Sequence, residues 1–405
     1  MTSSSLKTDP ATREMKRYYL YNFIISVTDT GNGNFTMVYF YFYGFSIVQI
    51  LCMILTYGIT CLVILKPIGM LLERLGPQAT FRLHIVSELL KYGALVSIFV
   101  FPVFGFFLSL LLQFFNAINV MLSRIPLTAY FSTYSTEGKR GSQIGFTNNI
   151  VSAASVVMPI AAGFLIQQSG LLLIGAISVV IELFATFILK FDRTVALKNP
   201  VKLKELSTHM PKSFSWSFFL SKLTYPYAAD LLSIYIAITL KSFVVLGIFV
   251  GIRTAMTLLL NYLVGKWTDE RTIRPFFFIA VIISSLFWLV LPFVHDAYAI
   301  VILQFTLGLA GLVTSIPHES AYHALAEKED HPIEFAVWRE VLIQTALSIG
   351  TLAIIVLIQF FHTPWQSLLP LGALSALALL FAIPYIGQRV RHKIYDNNHV
   401  YKPSN

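Results

Sequence analysis

The sequence predicts an all-α membrane protein of twelve spans arranged as two six-helix bundles, and three observations carry that prediction. Of 405 residues, 56% are hydrophobic and 12% charged, with a mean hydropathy of +0.71. A soluble globular chain has roughly 25% charged and 45–50% apolar residues, so a soluble reading is excluded. The apolar residues fall in blocks of about 20, the length that crosses a hydrocarbon core of about 30 Å, and not in the stripes of amphipathic helices. The third observation is a duplication of six spans. Blocks such as 101–115 and 276–287 show no alternation of apolar and polar residues, which excludes the strands of an outer-membrane barrel.

Polar punctuation divides the blocks into spans at 18–42, 47–70, 80–101, 104–126, 144–167, 170–190, 214–239, 243–266, 274–294, 297–318, 335–361 and 365–387. The first is interrupted by Thr28-Asp29-Thr30-Gly31-Asn32-Gly33-Asn34. Residues 1–17 are polar and charged, without the short apolar core and cleavage site of a signal peptide, so the first span is expected to be its own insertion signal. Cys52 and Cys61 share one apolar block, which gives neither a disulfide framework nor metal-ligand spacing. Placing the N-terminus inside leaves all but four of the 29 Lys and Arg on the cytoplasmic side or at its membrane edge. Lys241 falls outside, and Lys91, Lys222 and Arg253 lie within spans. Cytoplasmic loops retain positive charge, so the expected setting is the cytoplasmic (inner) membrane with both termini cytoplasmic. The net charge of +9 is then a topology signal, and nucleic acid is not an expected partner.

The long polar segment 191–213, with Pro200 and Pro211, divides the chain into an N-terminal bundle (1–190), a cytoplasmic linker (191–213) and a C-terminal bundle with a short tail (214–405). Gln113 precedes Pro126 by 13 residues, and Gln304 precedes Pro317 by 13, which aligns spans four and ten at an offset of 191. After span two, Gly69 precedes Glu73 by four residues; after span eight, Gly265 precedes Asp269 by four, at an offset of 196. Two offsets this similar imply a parallel duplication of six spans.

The segment Gly69-Met70-Leu71-Leu72-Glu73-Arg74-Leu75-Gly76 resembles the signature loop of the major facilitator superfamily, Gly-x-Leu-x-Asp-Arg-x-Gly, with Glu73 in place of the acid Asp. Gly265 to Arg271 resembles its second, degenerate copy and keeps the acid as Asp269. The resemblance covers essentially all twelve spans. It implies two bundles related by a pseudo-two-fold axis along the membrane normal and transport by alternating access. It further implies that spans 1, 4, 7 and 10 line a central cavity, that 2, 5, 8 and 11 flank it, and that 3, 6, 9 and 12 support it. The loop residues Gly69, Glu73, Arg74, Gly265, Asp269 and Arg271 are the implied gating set, the acids pairing with a helix N-terminus or an Arg across the halves. Two departures limit the inference. Span four has Gln113-Phe114-Phe115-Asn116-Ala117 where many proton-driven exporters carry Arg-x-x-Gln-Gly. In span five only Pro159 and Gly163 match the antiporter pattern Gly-x-x-x-Gly-Pro-x-x-Gly-Gly, a slight lean to export that close helix packing explains equally well.

A charge inside a bilayer costs roughly 2.5–3.5 kcal/mol even on lenient insertion scales, so each needs a partner or a function. Asp29, about 17 Å into its span at 1.5 Å per residue, is the leading site candidate, with Asn32 at i+3 on its face. It is expected to titrate during transport, the alternative being that the stretch is an external loop. Lys222 and Asp230 share a face of span seven across Pro226, and with Arg253 of span eight form an expected charge cluster, for which a structural Asp230–Arg253 pair is the rival reading. Gln113, Asn116 and Gln304 offer hydrogen bonds to a substrate or between helices. On the resemblance Glu88, Lys91 and Glu182 have structural duty, and Tyr39, Tyr41 and Tyr43 read as an interfacial aromatic belt. Neither a catalytic constellation nor a phosphate-binding loop is present, and no cofactor is expected. The expected function is secondary active transport of a small polar or charged solute, proton-coupled, by a monomer. A nutrient importer or uniporter of the same fold and a transport-inactive receptor or scaffold are the alternatives.

Overall fold

The computed structural model describes residues 10–33, 35–136, 138–190, 210–240, 242–269, 273–294, 296–328 and 332–386; the linker 191–209, Arg271 and the side chains of Asp29, Asn32, Glu73 and Arg253 lie outside the described set. Helices occupy all twelve expected span positions. They are α1 (Pro10–Gly33) with α2 (Thr36–Phe42), α3 (Ile47–Arg82), α4 (His84–Val100), α5 (Gly105–Tyr134), α6 (Arg140–Ser169), α7 (Leu171–Ala185), α8 (Lys212–Leu240), α9 (Phe243–Asp269), α10 (Arg274–Val290), α11 (Ala297–Lys328), α12 (Pro332–Phe361), and a last segment of two 3₁₀ stretches flanking α13 (Gly372–Ala378). Among the described residues seven helical stretches are each long and apolar enough to cross a bilayer, and the bent pair Arg74–Arg82 and His84–Val100, at 43°, makes an eighth if it is one span. Residues 171–185, 230–239 and 243–252 are shorter apolar helices.

Local chemistry sets several ends. Ser46 caps α3 through a reciprocal box with Gln49, accepting from its N–H at 3.2 Å while Gln49 Oε1 accepts from Ser46 N at 2.8 Å. At the other end of α3, Gly76 adopts φ 77°, ψ 167°, a conformation that favours glycine, and the chain turns there into Pro77–Arg82. Backbone helix continues through Thr28–Gly33, so that stretch is not a loop.

Packing repeats with the duplication. In the first set α3 packs on α5, α1 on α6 and α7, and α4 on α7; the corresponding second-set pairs are α9 on α11, α8 on α12 and α13, and α10 on α13. Across the sets, α6 packs on α9 and its counterpart α12 packs on α3. Each pairing has its mate, as a pseudo-two-fold relation requires.

The α6–α9 seam is the most extensive helix contact among the described residues. A Cβ at Gly145 would stand 2.5 Å from the carbonyl oxygen of Asn261, and one at Gly251 would stand 2.5 Å from that of Val156, so the two backbones touch directly. Gly163 abuts the Phe243 backbone and Gly247 the Pro159 carbonyl, which gives the small-residue stripe of span five its packing role. Asn261 donates to Ser152 Oγ at 3.2 Å across the same seam.

At the end of the bundle away from Asp269, Phe243 receives Phe35, Tyr39 and Phe42 at ring-centroid distances of 6.4, 6.2 and 5.5 Å. Tyr39 therefore belongs to an aromatic contact between the halves, in place of the interfacial belt expected for it, because α2 folds against α8 and brings its rings inward.

Candidate functional site

Cavities of about 390 and 420 Å³ open among the helices of the described residues. The first is lined by Tyr18, Asn22, Asn148, Glu182, Glu319, His323 and Arg339 among others. The second is lined by Thr36, Tyr57, Glu88, Lys91, Gln113, Asn116 and Asp230 among others. Val120 and Arg124 line both. Gln113, Asn116, Val120 and Arg124 follow at steps of three, four and four, so one face of α5 runs from the second cavity to the first.

Charges in the cavities are arranged in pairs. Lys91 forms an ion pair with Glu88 one turn away on α4. Asn119 of α5 donates to Glu88 Oε2 at 3.0 Å, to the His84 carbonyl at 3.1 Å and to Glu182 Oε2 at 3.5 Å, tying α4, α5 and α7 together. Arg124 reaches Glu340 of α12 at 3.4 Å, and Gln344 donates to the same carboxylate oxygen at 3.1 Å. Arg339 pairs with Glu319 of α11, its guanidinium lying 5.4 Å from the Phe218 ring centre and 4.9 Å from that of Tyr322. Ser132 and His323 meet at 2.8 Å, a further polar link between the sets.

Asp269 closes one end. Its Oδ1 accepts the Gly141 N–H and its Oδ2 the Ser142 N–H, each at 2.9 Å, and Ser142 Oγ donates to Oδ2 at 2.5 Å. The carboxylate thus sits on the first turn of α6, where unpaired N–H groups and the helix dipole favour an anion.

A family model described as Major Facilitator Superfamily matches residues 20–317. The chain belongs to the Major Facilitator Superfamily. Among solved structures it is similar to a bacterial homologue of the iron transporter ferroportin in an outward-facing state, with a TM-score of 0.65 and 14% identity over 92% of this chain and 98% of that one. A second structure of such a homologue, with soaked iron, gives a TM-score of 0.60 and 12% identity over 92% of this chain and 98% of that one. At these identities the likeness is one of fold. No curated protein sequence matches the chain. Membership in the superfamily makes it a multi-pass membrane protein and a secondary transporter.

Within this Major Facilitator Superfamily fold, Gln113 and Asn116 line the second cavity and bond to each other, Asn116 donating at 3.3 Å. Gln304, the repeat mate of Gln113, is 1% exposed, and neither cavity counts it among its described lining residues. Asp230 faces the second cavity, whereas Lys222 lines a separate cavity of about 160 Å³ with Ser221, His318 and Glu319. The expected cluster of Lys222, Asp230 and Arg253 is therefore divided at its first two members. Eight residues of helix separate them by about 12 Å, and the two side chains open onto different spaces. Asp29, Asn32, Glu73 and Arg253 fall outside the described side chains, and Arg271 outside the described residues. Arg74 is exposed, Gly69 is buried in α3, and Gly265 lies against the Gly141 backbone. Glu88 and Lys91, of which structural duty is expected, form an ion pair and also face a cavity.

Arg124, Glu319, Arg339 and Glu340 were not singled out from sequence. Arg124 and Glu319 sit within two residues of the expected span ends at 126 and 318, and Arg339 and Glu340 within five of the expected start at 335, where a charge needs no explanation. Helix α5 runs on to Tyr134 and α11 to Lys328, which carries those positions into the bundle. For Glu319 the signal is the polar but helix-compatible run after the expected end at 318.

Proposed function

We propose that the chain moves a small polar or charged solute across the cytoplasmic membrane, coupled to protons, by rocking residues 1–190 against 214–405 about the α6–α9 and α3–α12 seams, with 191–213 as the linker. One observation carries the reading: two cavities lined by paired charges meet at Arg124, whose ion pair with Glu340 joins the two sets of helices. A site lying between two rigid bodies and linked across them can be exposed to either side in turn. The concentration of Lys and Arg at the Asp269 end supports a cytoplasmic orientation of that end and of both termini. In this reading Asp269 and Glu73 latch the cytoplasmic side, Gly69, Arg74, Gly265 and Arg271 shape the latch, and Asp29, Asn32, Asp230 and Arg253 contribute to solute or proton binding. Efflux is the working direction. It rests on Pro159 and Gly163, which also pack the seam.

Iron, soaked into one of the structures of similar fold, does not transfer at 12% identity. In the second cavity Lys91 and Arg124 stand against Glu88 and Asp230, and the accessible guanidinium of Arg124 offers an organic anion a partner. The test is transport by purified protein in liposomes carrying an imposed pH gradient. Gradient-dependent flux of an organic anion, absent from empty liposomes, supports the reading; flux of a divalent metal alone, with no response to the proton gradient, contradicts it.

A further inference from the structure

The two halves differ at the middle of α11. At the offset of 191 that relates Gln113 to Gln304, Asn119 corresponds to Ala310 and Val120 to Gly311. In the first half Asn119 ties α5 to α4 and α7 through three hydrogen bonds. Ala310 has no side chain to do the same, and nothing lies within 4 Å of a Cβ at Gly311, which opens on the cavity of about 160 Å³. The described lining of that cavity comes from α8, α10, α11 and the last segment, all in the second half. It therefore lies apart from the space between the halves, which the transport reading gives to the solute.

The cavity has walls of two kinds. The rings of Phe218 and Trp288 and the side chains of Leu307 and Leu379 make an apolar surface that offers water few partners. Trp288 is fixed in that surface by Gly372, where any side chain would strike the indole ring. Against it stand the hydroxyls of Ser221, Ser284, Thr314 and Ser315, the ammonium of Lys222 and the carboxylate of Glu319. The ammonium only donates and the carboxylate only accepts, so this wall suits one small group that does both. We propose that the cavity binds a neutral single-ring aromatic alcohol, of the chemistry of phenol, its ring against Trp288 and Phe218 and its hydroxyl among the serines, Lys222 and Glu319. The size agrees, since an apolar cavity of about 150 Å³ takes up benzene. A mostly apolar pocket with a few convergent polar groups is also the ordinary form of a small-molecule site. A charged ring compound fits less well, because Lys222 and Glu319 bring charges of both signs to the same wall, and either ion would meet one of like sign.

The test is fluorine NMR titration of the full-length protein in lipid nanodiscs with 4-fluorophenol, with 4-fluorobenzoate and 4-fluorobenzylamine as charged contrasts. Empty nanodiscs measure partition into lipid, which does not saturate. The protein should add a saturable component for 4-fluorophenol, and both contrasts should bind at least about tenfold more weakly. Gly311→Val installs the residue that its repeat mate carries and fills the cavity; it should weaken binding at least about tenfold and melt no lower than the wild type. Ser284→Leu fills the same space from α10 and should act alike, so that misfolding of one variant leaves the other to decide. Photolabelling of the wild type with a diazirine-bearing phenol needs no variant and should mark peptides of α10 and α11. A signal equal to that of empty nanodiscs, with water alone in the cavity, would overturn the proposal. So would unchanged binding in a folded cavity-filling variant, tighter binding of either charged contrast, or photolabel found only outside the helices of the second half. None of these outcomes depends on flux, so the site and the transport reading stand or fall separately.

Discussion

Asp269, the last residue of α9, grips the first turn of α6 through both carboxylate oxygens, Oδ1 to the N–H of Gly141 and Oδ2 to that of Ser142, each at 2.9 Å. This joins the end of one half to the beginning of a helix in the other, at the point where the Gly141 and Gly265 backbones are in contact. A charged acceptor on helix N–H groups contributes about 1.5–3 kcal/mol, enough to bias a two-state equilibrium by about tenfold or more.

Asp269→Asn should therefore shift the population toward a state open at this end. A cysteine introduced at Thr136, which is exposed near the contact, should react faster with a membrane-impermeant maleimide in the Asn variant by about tenfold. Equal labelling rates would remove Asp269 from the latch.

The seam between α6 and α9 has no room for a methyl group at Gly251, since a Cβ there would meet the Val156 carbonyl oxygen at 2.5 Å. Gly251→Ala should force the helices apart and lower stability by about 1–3 kcal/mol. Gly311→Ala is the control, because nothing lies within 4 Å of a Cβ at that position. Thermal unfolding of the two detergent-solubilised variants, followed by tryptophan fluorescence, checks the difference.

Lys91 neutralises Glu88, a carboxylate 2% exposed and tied through Asn119 to Glu182. Lys91→Met strands that charge and should destabilise by about 3–5 kcal/mol, whereas Lys91→Met/Glu88→Gln should recover most of the loss. Equal stability of single and double variants, by denaturant titration, would show that the pair contributes nothing.

Glu14 gives a pH dependence outside the spans. Burial opposes its charge, but hydrogen bonds from Arg17 at 2.6 Å and Tyr130 at 2.8 Å, with the charge of Arg17, outweigh it and hold the carboxyl below its usual range. A carboxyl depressed in the folded state contributes stability that is fully present above its unfolded value and is lost as the pH falls through the folded one. The melting-temperature gap between wild type and Glu14→Gln should be widest near neutrality and close below about pH 4.

Much of the architecture was legible because apolar block length and a duplicated spacing are properties of sequence alone. The Gly69/Gly265 and Gln113/Gln304 spacings anticipate the matched packing of α3 on α5 and of α9 on α11. The site was legible only in part. Gln113, Asn116 and Asp230 line a cavity, and Asp269 sits on a helix N-terminus. Arg124 and Glu340 were hidden because hydropathy marks where a block ends and not where its helix ends. Lys222 and Asp230 share a helix face in projection, yet a cavity has a length along the membrane normal that a helical wheel does not record. Tyr39 shows the same limit, since its inward position depends on α2 folding against α8, a contact between distant segments.

Rocking of the two halves is the central claim, and pulsed electron–electron distance measurements test it without knowledge of the solute. In a background with Cys52 and Cys61 replaced by serine, one label pair joins the exposed positions Lys139 and Lys212, near the Asp269 end, and another joins Phe104 and Phe361 at the opposite end. Across a pH series in lipid nanodiscs, two populations should exchange at both pairs with opposite sign, the first distance lengthening as the second shortens. A single fixed distance at both ends, unmoved by pH and by Asp269→Asn, would contradict the account.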